Sequence, residues 1–77
     1  MKRRDNRQLV DTIAAMVKQT HGVSLAELIA DDRRAHIASA RRAFVLWCSA
    51  CGVSVHELSE ILHRGRNAIR SLLKIGL

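Results

Sequence analysis

Arg64, Arg66, Asn67, Arg70, Ser71 and Lys74 fall within eleven consecutive residues that contain no acid. Arginine presents a planar fork that pairs bidentately with guanine, and asparagine makes the equivalent pair with adenine. Lysine and the remaining arginines suit phosphate, so this stretch holds the side-chain chemistry of a nucleic-acid reader. Two other constellations invite chemistry and carry less. Cys48-Ser49-Ala50-Cys51 has the CxxC spacing of zinc and redox sites. A zinc site needs four ligands, and a redox pair opens a helix after a strand, whereas this pair falls near a helix end. The two cysteines therefore read as small, partly buried packing residues. His21, His36, His56 and His63 are scattered with no nucleophile beside them, so no catalytic dyad is visible and enzymatic activity is not expected.

The elements that position these groups follow from composition and periodicity. Within 77 residues there is no proline, only four glycines and ten alanines, a balance that favours helices. A hydrophobic share of 48% with 26% charged residues is that of a folded domain, and the length suits one domain without a large cofactor pocket. A first helix is expected from about Asp5 to Gln19, burying Leu9, Ile13, Met16 and Val17, with a stop at His21-Gly22. Ser24 and Glu27 form a capping box that opens a short helix through Leu28 and Ile29. After the polar connection Asp31-Asp32-Arg33-Arg34, the spacing of Ile37, Ala40, Phe44 and Trp47 predicts the longest helix, from about Ala35 to Cys51, ending at Gly52. Phe44 and Trp47 are expected in the core. Ser54 and Glu57 cap a fourth helix bearing Leu58, Ile61 and Leu62. His63-Arg64-Gly65 breaks it, and a fifth helix from about Arg66 to Ile75 buries Ile69, Leu72 and Leu73. No internal repeat, low-complexity tract or linker interrupts this all-α arrangement, which reads as one domain over residues 1–77.

The buried positions of the last two helices have the intervals of a DNA-binding helix-turn-helix, spanning about residues 54–75. Leu58, Leu62, Ile69 and Leu72 are separated by four, seven and three, and Ser59 supplies the small residue where the second helix crosses. In this register Arg66, Asn67, Arg70 and Ser71 project from the start of a recognition helix. Arg64, Lys74 and the helix N-terminus at Ser54 then contact phosphates. His63 stands where the motif usually has glycine.

Charge placement agrees. The net charge is +6, from thirteen bases and seven acids. Residues 1–32 carry five of each, whereas residues 33–77 carry eight bases against Glu57 and Glu60, so the whole surplus lies in the C-terminal part. An asymmetric basic surface points to a polyanionic partner. The Lys2-Arg3-Arg4-Arg7 cluster reads either as an arm on DNA or as a solubilising terminus. No apolar run approaches the roughly 20 residues of a membrane span, and no signal peptide is read, so a soluble, cytoplasmic and nucleoid-associated protein is expected.

"VSLAELIADDRRAHIASARRAFVLWC" followed by "GVSVHELSEILHRGRNAIRSLLKI" resembles the C-terminal DNA-binding domain, domain IV, of the bacterial replication initiator DnaA and its stand-alone relatives, over about residues 9–75. The resemblance implies a small, Trp-repressor-like fold of about five helices with a C-terminal helix-turn-helix. It implies that a basic loop carrying Arg33 and Arg34 reaches the minor groove, and Arg41 of the long helix is counted with the DNA-contacting residues. The family's "RDHTT" signature is replaced here by Arg64-Gly65-Arg66-Asn67-Ala68, and the turn is one residue shorter. No phosphate loop occurs in these residues. The segment "RNAIRSLLKIGL" is similar to the recognition segment of the GcrA family of alphaproteobacterial cell-cycle regulators. Together these imply a bacterial double-stranded DNA-binding transcription regulator, such as an activator of phage-like or gene-transfer-agent genes. Alternative readings are a replication-control factor competing for initiator sites and an adaptor whose basic face meets an acidic partner. RNA polymerase, a sigma-like factor or another DNA-binding protein are the protein partners implied; no cofactor, metal, small-molecule substrate or membrane is expected.

Overall fold

A computed structural model describes residues 7–30 and 34–75. The described chain is built from five helices: α1 (Arg7–His21), α2 (Leu25–Ile29), α3 (Ala35–Ala50), α4 (Val55–Leu62) and α5 (Arg66–Ile75). No strand occurs among the described residues. The basic arm read at residues 1–6 lies outside them. α3 is the hub, packing against all four other helices, while α4 packs on α5 and α2. Ile37, Ala40, Phe44, Val45 and Cys48 of α3 are fully buried, and around them close Val10, Ile13 and Val17 of α1, Leu28 of α2, Leu58 and Leu62 of α4, and Ile69 of α5.

Leu9, Trp47, Ile61, Leu72 and Leu73 of the expected core are only partly buried against it and Met16 is exposed; for Met16 and Trp47 the helical phase gives the reason. Met16 is 46% exposed, and Trp47 is only half-buried, its ring set edge-on to His21 at 6.4 Å. At 100° per residue, Val10, Ile13 and Val17 define the buried stripe of α1, and Met16 lies about 90° from its centre. Trp47 is displaced by a similar angle from the α3 stripe that Phe44, Val45 and Cys48 share. Val10 and Val45 take the core places instead.

A six-residue joint, Gly-Val-Ser-x-x-Glu, occurs twice, at residues 22–27 and 52–57, a short internal repeat where none was expected. Gly22 and Gly52 adopt positive φ, 69° and 94°, where a side chain would be strained, and so end α1 and α3. Val23 and Val53 then turn into the core, and Ser24 and Ser54 cap the following helices. Four residues beyond each serine, Leu28 and Leu58 are fully buried in the same core as the two valines, which is the arrangement of a hydrophobic staple. At the first joint the Glu27 N–H donates to Ser24 Oγ at 3.3 Å and the Ser24 N–H donates to Glu27 Oε1 at 3.1 Å. That N–H, together with the Ser24 hydroxyl, which donates to the same Oε1 at 3.1 Å, holds the Glu27 carboxyl below its ordinary pKa. At the second joint the Glu57 N–H donates to Ser54 Oγ at 3.1 Å.

Candidate nucleic-acid interface

The candidate surface is carried by α5 and the turn that precedes it. Ile69 of α5 is fully buried against α3 and α4, and Leu72 and Leu73 are half-buried beside it. That single apolar stripe turns the opposite face outward, so Arg66, Asn67, Arg70, Ser71 and Lys74 are all exposed. Arg66, Arg70 and Lys74 recur every four residues and therefore form one basic ridge with no acid on the helix. Like charges at this spacing cost a free helix a few tenths of a kcal/mol per pair, and a cation in the first turn opposes the helix dipole. The sequence of α5 thus accepts local electrostatic cost to present this face.

The turn is fixed more firmly than its composition suggests. His63 takes up the left-handed conformation, φ 53° and ψ 44°, that glycine would adopt more easily. Its N–H and that of Arg64 both reach the Ser59 carbonyl, and the Ser59 hydroxyl donates to the Arg64 carbonyl at 2.6 Å. Ser59 is therefore a clamp on the turn, beyond its small size at the helix crossing.

The structure sorts the remaining candidate residues differently. Arg34 is exposed at the N-terminus of α3, while Arg33 lies outside the described residues. Ser54 is exposed, but its hydroxyl serves the α4 cap and donates to Glu57 Oε1 at 3.3 Å, which places a carboxylate where an anion was expected. Arg41 requires correction. It is only 8% exposed, and its Nε and Nη2 donate to the carbonyls of Leu28 and Ala30 at 2.9 and 3.0 Å. Its guanidinium ties off the C-terminal carbonyls of α2, which a five-residue helix leaves without intrahelical partners. Arg64 is half-buried as well, donating from Nη2 to the same Ala30 carbonyl at 2.9 Å, across 34 residues of chain.

The cysteines divide by position on α3. Cys48 is buried, and burial, with a smaller contribution from Cys51, pushes its thiol up to about 12, so it is a neutral packing group. Cys51 is exposed at the end of the helix. Among the described residues no group of three or more His, Cys, Asp or Glu side chains is placed to hold a metal ion. No described helix is long and apolar enough to cross a membrane. Comparison of the chain with protein-family models, with curated proteins and with solved structures gave no match.

Proposed function

We propose that this chain is a sequence-specific double-stranded DNA-binding module that acts in transcription regulation. The observation that carries this reading is α5, anchored by one buried stripe while Arg66, Asn67, Arg70, Ser71 and Lys74 stand exposed on the other side with no acid among them. Seated in a major groove, its first turn brings Arg66 and Asn67 to base edges, the chemistry suited to guanine and adenine. Lys74 and Arg34 meet phosphates on either side and set the register of the module.

Binding of duplex fragments selected from the source genome, titrated with salt, tests this. The two phosphate contacts of Lys74 and Arg34 give a slope of about −1.8 in log K against log salt. Arg66→Ala and Asn67→Ala reduce discrimination between selected and random duplexes by about 1–3 kcal/mol each, whereas Lys74→Ala weakens both alike and flattens the slope by about 0.9. Failure to bind any duplex at low salt would end the proposal. Equal weakening of selected and random DNA by Arg66→Ala would place base reading elsewhere.

A further inference from the structure

The Ala30 carbonyl is the meeting point of three parts of the chain. Ala30 ends α2 and immediately precedes the segment that leads through Arg33 and Arg34 into α3. Two guanidiniums converge on its oxygen, Arg41 from α3 at 3.0 Å and Arg64 from the α4–α5 turn at 2.9 Å. Arg41 also holds Leu28, so the cap on the end of α2 is shared between the two guanidiniums. The second arginine comes at a cost, because Arg64 Nε is buried and has no hydrogen-bond partner among the described residues. Its backbone is held by Ser59 through the hydroxyl at 2.6 Å and the carbonyl at 3.1 Å, so the side chain extends from a fixed base two residues before Arg66.

From this geometry we infer that Arg64 is a positioning residue: it ties the start of α5 to the end of α2 and so sets the spacing between Arg34, at the N-terminus of α3, and the exposed face of α5. The inference rests on the DNA-binding reading for its purpose but not for its existence, since the tie belongs to the free protein. It replaces the phosphate contact that sequence alone suggests for Arg64. A lysine keeps the charge but lacks the planar fork through which Arg64 Nη2 reaches Ala30.

Amide hydrogen exchange on the free protein tests the tie directly. The Ala30 N–H is bonded to the Ala26 carbonyl at 3.0 Å, and in both Arg64→Lys and Arg64→Met its exchange rises about tenfold or more, while Phe44 and Val45 in α3 are unchanged. Unchanged exchange at Ala30 in both variants overturns the inference whatever the DNA result. Duplex affinity then tests the positioning role. Arg64→Lys loses as much affinity as Arg64→Met with the salt slope retained, and Arg34→Ala costs several-fold in the parent but less than twofold in the Arg64→Met background. Wild-type affinity of Arg64→Lys, or costs of Arg34→Ala and Arg64→Met that simply multiply, would show an ordinary phosphate contact and overturn it. If no duplex binds, the proposed function fails, and exchange at Ala30 still decides whether Arg64 makes the tie.

Discussion

Replacing His63 by glycine should stabilise the protein. His63 is the non-glycine residue with positive φ among those described, its side chain is exposed, and its N–H keeps the Ser59 carbonyl whatever side chain it bears. A β-carbon in the left-handed region costs roughly 1–2 kcal/mol. Glycine recovers that cost but loses about 0.4–1 kcal/mol through the greater freedom of its unfolded chain, leaving a net gain of about 0.5–1 kcal/mol. With an unfolding entropy of roughly 2.1 cal/mol/K per residue, 77 residues give about 0.16 kcal/mol/K, so Tm rises by about 3–6 °C. Thermal unfolding followed by far-ultraviolet circular dichroism measures this, with urea unfolding at an unchanged m value as the companion. His63→Ala, which keeps the β-carbon, provides the control and brings no gain. An equal or lower Tm for His63→Gly would refute the argument, because it would mean that the turn holds no strain at His63 or that the imidazole contributes a stabilising contact.

Other expectations follow from burial and bonding. Arg41→Met removes two charge-assisted hydrogen bonds and strands the Leu28 carbonyl, with Arg64 left on Ala30, costing about 2–4 kcal/mol in urea unfolding; a loss below about 1 kcal/mol would show that the guanidinium is no strut. Phe44→Ala, at a fully buried position, costs about 3–5 kcal/mol, and Trp47→Ala costs clearly less. The reverse order would put the α3 stripe in the wrong phase. In the native protein one thiol, Cys51, reacts promptly with an alkylating reagent at pH 8, and Cys48 reacts only on unfolding, as mass spectrometry of the labelled peptides can tell. Because the Cys48 thiol is raised to about 12, its unfolded form releases a proton at lower pH than the folded form does. Its contribution is complete below about pH 8.5 and is lost as pH rises toward 12, at up to about 1.4 kcal/mol per pH unit, a slope that Cys48→Ala should lack.

The five helices were readable because their ends are written in local chemistry: glycines at positive φ, serine caps and a three-residue break at His63. Each of those signals acts within a few residues, so sequence spacing is enough to find it. Core membership was less readable at the edges of each stripe. On α3 a series spaced three, four and three drifts around the helix and carries Trp47 outward, while on α1 Met16 lies off the stripe of Val10, Ile13 and Val17; Val10 and Val45 take the core places. The exposed face of α5 followed directly from the phase of Ile69. The arginines did not sort themselves in the same way, since an arginine that binds phosphate and one that caps a helix look identical in a string of letters. Arg41 and Arg64 find their partner at Ala30 only after the chain has folded back over 11 and 34 residues. The clamp made by Ser59 was hidden for a related reason, because a serine at a close crossing is explained by its size before its hydroxyl is considered.

The twice-used Gly-Val-Ser-x-x-Glu joint bears on how quickly the chain finds its fold. The cap bonds of each joint close within its own six residues, so α2 and α4 are given their starting points without waiting for distant partners. What remains is to bring preset corners against α3, a search dominated by near neighbours along the chain. Helical domains with such local wiring fold in about microseconds to milliseconds. Exchanging the residues at 25–26 with those at 55–56 should leave that speed nearly unchanged, whereas replacing either capping serine by alanine should delay the corner it begins.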